Sequence, residues 1–459
     1  MRDRSALLLL VAAFALAVFV VDPRGDFPLN DDWGVGFTTF HLVETGRIQF
    51  TPFASATAYL QFAWGALWAS LFGESFTVLR CATLTLSLAS TLLAYALLRA
   101  ARVSQRLALF GAAALLFHPL FFWASFTSMT HVPFVCLSLV AALMFVRAWE
   151  REGVWLAIAF AATVASFFTR QFAILNALAP LVVALMYRRK RVAFTYATAT
   201  IVFALLVVTR VLVASEKELV LHKPSASGLL LRGVHYIFFN WQNAALFFAP
   251  LFVLVLLARV RMSRMTLIVA ALLFAFPAYR MTAIVHMPIP YLNSGNVFTD
   301  FGLGPPTLRD VFTFGMRPPF ALPFAVKLAL MIVTTIGAVV AASVTAPSVR
   351  IDDALTRYCV AYLAIGTAIV AAMKINFDRY SVDTAWPFGI LLVLLASRMS
   401  FTRETRAIAA MLLAVMIVFA TSGTAEYLAW NRARWQAFSL MRAHGVQLTQ
   451  MDGGYEINS

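Results

Sequence analysis

Ser5 to Val21 reads SALLLLVAAFALAVFVV, preceded by Arg2 and Arg4 and followed by Asp22-Pro23-Arg24-Gly25-Asp26-Phe27-Pro28-Leu29-Asn30-Asp31-Asp32-Trp33. An uncharged apolar run of this length, with arginines before it and a polar segment after it, is a helix able to cross a lipid bilayer. A cleaved signal peptide would look similar, and small residues near Ala15 and Ala17 permit cleavage. The large polar loop that follows, and the topology of the remaining chain, favour an uncleaved helix. The same kind of segment recurs. Further candidate spans fall at 77–98, 107–124, 131–147, 153–169, 172–187, 192–211, 243–258, 265–279, 323–346, 355–373, 384–397 and 407–421, making thirteen in all. The expected fold is therefore an all-α, polytopic transmembrane protein.

Composition agrees. Of 459 residues, 61% are hydrophobic and 12% charged, against about 25% charged in an ordinary soluble domain. So few charges cannot clothe a soluble surface of this size. Cys81, Cys136 and Cys359 all lie inside apolar runs, which argues against a disulfide scaffold. The formal charge of +15 first suggests nucleic acid, but its distribution excludes that. With the N-terminus in the cytoplasm, the cytoplasmic segments hold nineteen of the thirty-six Lys and Arg residues and six of the twenty-one acids. That excess, including Arg99, Arg102, Arg106 and the run Arg188-Arg189-Lys190-Arg191, is the basic bias that orients membrane helices. The odd number of spans puts the C-terminus outside.

On this topology residues 1–421 form one transmembrane unit. Its longer outer segments are 22–76, 212–242 and 280–322, and residues 422–459 form a short outer tail. Tyr59, Phe62, Trp64, Leu67, Trp68 and Leu71 share one apolar helical face, which suits a helix lying on the membrane surface. No internal repeat of the kind found in transporters occurs. The central stretches of most spans lack charge, and polar residues gather in the outer loops. That pattern favours an enzyme over the alternative classes, a secondary transporter or lipid-linked-substrate flippase, or a noncatalytic scaffold.

Asp31 and Asp32 are adjacent carboxylates at a membrane exit, expensive unless solvated, paired or used. A solvated turn capping a helix is the plain reading. The context adds to it. Asn30-Asp31-Asp32-Trp33, then Gly46, Leu71-Phe72-Gly73 and Leu79-Arg80, then Phe168-Thr169-Arg170-Gln171, Asn376-Phe377-Asp378-Arg379-Tyr380 and Asp452-Gly453-Gly454-Tyr455-Glu456 follow in order along the chain. In architecture and in these motifs the chain resembles integral-membrane glycosyltransferases of the GT-C fold, in the branch of protein O-mannosyltransferases and aminoarabinose lipid A transferases.

The resemblance implies a multi-pass protein of a bacterial inner membrane. It would move a sugar from a polyprenyl-phosphate donor to an acceptor hydroxyl at the outer face, with inversion at the anomeric carbon. Asp31 matches the first acidic position and is the expected base, with Asp32 orienting it or bonding sugar hydroxyls. Adjacent carboxylates raise each other's proton affinity, which suits a base near neutral pH. The departing phosphate needs cations, and Arg170, Arg280 and Arg379, with Tyr380, are the candidates; the plain reading is arginines snorkelling at helix ends. Lys374, Asp378 and His131 are possible further contacts. His131 stands where related enzymes often carry Asp, which puts a divalent metal in doubt; no metal ligands and no other cofactor are identified. The turn-rich stretch 291–306 is a candidate lid, and His286 and Asp300 lie near it. The acceptor (glycan, lipid or protein hydroxyl) and the sugar are not encoded in any readable motif.

Overall fold

The computed structural model describes residues 3–51, 58–213, 226–258, 264–284, 296–299, 302–305, 322–348, 353–373, 376–451, 453 and 456. They form helices α1 (Asp3–Val21), α2 (Asp32–Thr45), α3 (Tyr59–Phe72), α4 (Phe76–Ala100), α5 (Gln105–Leu116), α6 (Pro119–Ser125), α7 (His131–Glu150), α8 (Val154–Phe167), α9 (Leu175–Met186), α10 (Lys190–Val213), α11 (Ala226–Phe247), α12 (Ala249–Leu257) and α13 (Arg264–Tyr279). After these come α14 (Phe324–Ser348), α15 (Ala354–Ala372), α16 (Val382–Ala396) and α17 (Arg403–Ala443). Strands β1 (Phe298–Thr299) and β2 (Gly302–Leu303) form a short antiparallel hairpin, pairing Phe298 with Leu303 and Thr299 with Gly302.

Among the described residues, eight helices are long and apolar enough to cross a membrane, and two bent pairs bring the number to ten. All thirteen expected segments lie on helices, but not all as whole spans. The segment 107–124 is α5 and α6, bent by 65°. Pro119 opens α6, and the imidazole of His118 caps it, accepting from the Phe121 N–H at 3.4 Å. The segment 243–258 bends by 84° where α11 meets α12, just before Pro250. Proline lacks the N–H that would continue the ladder, so each break sits where the chain can tolerate it. The segments 153–169, 172–187 and 384–397 form α8, α9 and α16, each too short to span alone. The last helix differs most from expectation. It does not end near 421 but runs on to Ala443, so most of the expected tail is helix.

Large apolar side chains such as Leu8, Phe19, Phe194, Leu272, Val333 and Val418 point outward, with Phe19 83% exposed. They present the surface that lipid would cover. Inside, polar side chains satisfy themselves. Thr83, Ser90 and Thr91 of α4 return their hydroxyls to carbonyls one turn back, and Ser87 bonds Ser125 of α6 at 2.8 Å. In a medium without water each such group must find its partner within the protein.

The expected apolar stripe on α3 divides in two. Leu67 and Leu71 point outward, whereas Gln61, Phe62, Gly65 and Ala69 form the packed edge. Gly65 lets α3 approach closely: a Cβ there would stand 3.0 Å from Thr39 and 3.2 Å from Leu79. Small residues at such crossings let backbones meet, and they carry no hydropathy signal.

Arg80, one turn into α4, is fully buried. Its guanidinium donates to the carbonyls of Pro23 (3.0 Å), Gly25 (2.7 Å) and Phe27, and it lies 4.5 Å from the centre of the Phe27 ring. One side chain thereby fixes the path from α1 to the acidic pair. Arg80→Ala orphans these acceptors at about 1–3 kcal/mol each, and we expect a large fall in the thermal midpoint of detergent-purified protein. Arg80→Lys is expected to rescue little, because a compact ammonium lacks the planar fork that reaches several carbonyls at once. A midpoint unchanged in Arg80→Ala would contradict this role.

Candidate active site

The chain reaches the site through Asn30, which adopts the left-handed conformation at φ 54°. Asparagine tolerates this region better than most residues. The turn places Asp31 at the start of α2, but its side chain makes no capping bond. Instead Asp31 Oδ2 accepts from Arg379 Nη2 at 2.7 Å. The side chain of Arg379 is 7% exposed and that of Asp31 32%. The pair therefore has one buried member and one that meets the surroundings.

Arg379 stands on a short 3-10 turn, Asp378–Ser381, that leads into α16. Among the described residues its Nη1 faces the sulfur of Met129 at 3.6 Å and its buried Nε has no hydrogen-bond partner. A guanidinium offers five N–H donors, and that of Nε is unused among the described residues. Asp378, next in the chain, was expected as a site contact and proves to be a clamp. Its Oδ1 accepts from the backbone N–H groups of Asn296 (3.0 Å), Val297 (3.2 Å) and Arg379 (2.6 Å). Its Oδ2 accepts from Val297 (3.0 Å) and Phe298 (2.6 Å). Burial raises its proton affinity against the pull of those donors. The clamp holds the strand that enters the β1–β2 hairpin beside the site.

A second ion pair lies alongside. Arg170 sits in extended backbone between α8 and the 3-10 turn Gln171–Ile174 that precedes α9. Its Nε is 2.8 Å from Asp383 Oδ2, at an angle too bent for a well-formed hydrogen bond. Its Nη1 donates to Thr130 Oγ1 at 3.0 Å and meets His131 Nε2 at 3.3 Å. His131 Nδ1 is 3.1 Å from Asp383 Oδ1. Arginine can only donate, so Nε2 is the accepting nitrogen and Nδ1 carries the hydrogen toward Asp383. His131 is thus a satisfied bridge between Arg170 and Asp383. The Tyr380 ring serves both cations, with its centre 4.9 Å from the Arg170 guanidinium carbon and 5.8 Å from that of Arg379.

Asp32 has a different environment from Asp31. It is fully buried and accepts from the Ser128 N–H at 2.9 Å through Oδ1, and its Oδ2 has no hydrogen-bond partner among the described residues. Burial drives its proton affinity up to about 7, against the positive charge of Arg80 and the bonds from Ser128, while the charge of Asp31 adds to the rise. Its side chain faces the protein interior.

Asp31, Arg379, Arg170, His131 and Tyr380 are brought together, as the sequence suggested. Arg280 is not. It begins a π-helical turn, Arg280–Ile284, and its charge bears on His235 in a separate cluster around Phe238, Phe274 and Met281. Lys374, His286, Asp300 and half of the expected lid lie outside the described residues. Asp383 was missed in the sequence, although it stands one helical turn beyond Arg379. Among the described residues no group of three or more His, Cys, Asp or Glu is placed to hold a metal ion.

Residues 58–213 match the family described as dolichyl-phosphate-mannose-protein mannosyltransferase. The match takes in Arg80, His131 and Arg170 and stops short of Asp31 on one side and Arg379 on the other. Comparison with curated proteins returned no match. Two solved structures of ArnT from Cupriavidus metallidurans are similar to the chain. The apo state shares 13% identity, covers 86% of this chain and 78% of that one, and has a TM-score of 0.39. The state bound to undecaprenyl phosphate shares 12% identity, covers 100% of this chain and 85% of that one, and has a TM-score of 0.42.

Asp32 supplies a pH signature. Its proton affinity rises on folding from the ordinary 3.8 to about 7. The folded state is therefore favoured while Asp32 is protonated. That advantage is complete below the unfolded value and is lost as pH climbs through the folded one. Between about pH 4 and 7 the thermal midpoint of the wild type is expected to fall relative to that of Asp32→Asn, which cannot titrate. Parallel curves for the two proteins would contradict a buried, proton-binding Asp32.

Proposed function

We propose that the chain is a membrane glycosyltransferase that moves a sugar from a lipid-phosphate carrier to an acceptor hydroxyl. One observation carries the reading: a part-exposed carboxylate, Asp31, faces a buried guanidinium, Arg379, that still has N–H groups to give. Such a pair supplies both ends of a displacement at an anomeric carbon. The family match over residues 58–213 supports a donor of the lipid-phosphate sugar class. The gathering of charged groups where helices end supports a transferase over a transporter, whose polar groups belong near mid-span.

In the proposed reaction the acceptor oxygen attacks the anomeric carbon while Asp31 takes its proton. The bond from that carbon to the phosphate oxygen breaks, and the electron pair leaves with the lipid phosphate. Arg379 meets the developing charge, with Arg170 as the second cation. A single displacement inverts the anomeric configuration. Asp31 is preferred to Asp32 as base because a substrate hydroxyl can reach it. Asp32 supports the start of α2 from within through Ser128. The Lys/Arg distribution favours an outer-face site with the N-terminus in the cytoplasm and the C-terminus outside. Glycan, lipid and protein hydroxyls all fit the proposed chemistry as acceptors.

Asp31→Asn keeps the shape and removes the base. Transfer from a labelled polyprenyl-phosphate sugar is expected to fall by about 10²–10⁴-fold, with folding and membrane insertion intact. Arg379→Ala is expected to act chiefly on donor use, raising the donor KM. Wild-type turnover in Asp31→Asn would overturn its assignment, and full activity in both Asp31→Asn and Asp32→Asn would remove the mechanism. The topology is tested separately. Reporter fusions at residues 190, 300 and 459 are expected to read inside, outside and outside, and a cytoplasmic signal at 459 would contradict the orientation.

A further inference from the structure

Glu456, far along the sequence from any other element of the site, is buried against the acidic turn. Its Oε1 accepts from the backbone N–H of Asn30 at 2.8 Å, across 426 positions of sequence. Its Oε2 accepts from Arg434 Nη1 at 2.9 Å. The side chains of Glu456 and Arg434 are 0% and 5% exposed. Arg434 also donates to the Gly453 carbonyl at 3.1 Å, and its guanidinium carbon lies 5.3 Å and 5.6 Å from the ring centres of Trp430 and Trp435. Two charges are thus taken out of water to hold one backbone amide. Burying an ion pair rarely stabilises a fold by itself, so the contact calls for a role.

The role follows from what Asn30 touches. The Asn30 side-chain amide donates to Asn296 Oδ1 at 3.0 Å. The Asn296 backbone N–H donates to Asp378. Asp378 adjoins Arg379, and Arg379 holds Asp31, the neighbour of Asn30. These contacts close a ring: Asn30, Asn296, Asp378, Arg379, Asp31, and back to Asn30. Asn30 is its strained corner, a non-glycine residue at positive φ. Such conformations persist where surrounding contacts over-determine them. Glu456 holds Asn30 by its backbone N–H, a group that none of the ring's own hydrogen bonds uses.

We propose that Glu456 is a positioning residue: by holding the Asn30 amide, with Arg434 as its countercharge, it fixes the approach of Asp31 to Arg379. The far half of α17 then has a reason to continue past 421. Tyr427, Asn431 and Arg434 recur on one helical face, all buried, and Gly304 of the hairpin lies against the Tyr427 ring, where a Cβ would stand 2.2 Å from it. The helix carries the countercharge to the site. The catalytic consequence rests on the transferase reading; the contact itself does not.

The experiment pairs hydrogen exchange with kinetics on the full chain in detergent, using Glu456→Ala and Glu456→Gln. Glu456→Ala is expected to speed amide exchange across residues 28–36 while distant helices keep their protection. Turnover is expected to fall by about 10–100-fold, as small displacements of a reacting group do, mainly in kcat with the donor KM little changed. Glu456→Gln keeps an acceptor oxygen of the same reach and is expected to recover part of both losses. In an Asp31→Asn background, Glu456→Ala is expected to cost the residual turnover almost nothing further, because it acts through Asp31. Unchanged exchange at 28–36, wild-type turnover in Glu456→Ala, or an equal loss with and without Asp31 overturns the proposal. If the wild type transfers no sugar, the transferase reading falls, and the exchange result alone decides the contact. If Glu456→Ala does not fold, the same comparisons are made with Glu456→Gln, whose exchange and turnover must then both depart from wild type.

Discussion

The ion pair between Asp31 and Arg379 joins residues 348 positions apart, and the surrounding structure is arranged to bring them together. A buried guanidinium without its carboxylate costs several kcal/mol, and a carboxylate at a membrane exit needs water or a partner. The pair solves both problems while leaving work undone. Arg379 donates one N–H group to Asp31, and among the described residues its Nε has no partner. On the proposed function, that leaves donors for a second anion.

The supports come from different parts of the chain, each with its own physical reason. Arg80 collects the carbonyls between α1 and α2, which brings the acidic turn to the bundle. Asp378 collects the amides of the hairpin strand and fixes the backbone of Arg379. Arg170 and Asp383 form a parallel pair with His131 between them, so the second cation is held near the first although the two repel. Both arginines stand where helices break, Arg170 before α9 and Arg379 before α16. Irregular backbone within a membrane protein persists where protein or a water-lined cavity satisfies it, and the short helices α8, α9 and α16 follow from that arrangement.

Much of this was legible in the sequence. Every segment located by hydropathy became helix, because lipid-facing side chains must be apolar whatever their partners; α2 and most of α11 carry no such signal and were read as outer segments. It does not by itself fix the number of complete spans, since α8, α9 and α16, of 14, 12 and 15 residues, have the composition of longer helices. Pro119 and Pro250 stand at the bends, although the expected spans 107–124 and 243–258 ran through them. Beyond Thr421 the hydropathy signal fades although the helix continues, because α17 there packs Tyr427, Asn431 and Arg434 against protein rather than lipid. Asp31, Arg170 and Arg379 stood out as charges at helix ends. Asp383 did not: it lies just before the apolar run expected at 384–397, whose helix starts two residues earlier than expected, at Val382. Arg280 had the same local credentials as Arg170 and went elsewhere, since local sequence does not state which helix ends meet. The bond from Glu456 to Asn30 is beyond any local reading.

The central proposal is that the Arg379 guanidinium receives a lipid phosphate, for which the neighbouring Asp31 carboxylate competes. Binding of a polyprenyl phosphate without its sugar, measured on purified wild type, Asp31→Asn and Arg379→Gln, tests it most directly. The account predicts tighter binding in Asp31→Asn, where the guanidinium is released from its competitor, and weaker binding in Arg379→Gln, where no cation meets the phosphate. Equal affinity in all three proteins would contradict it, because the phosphate would then be bound without using the pair.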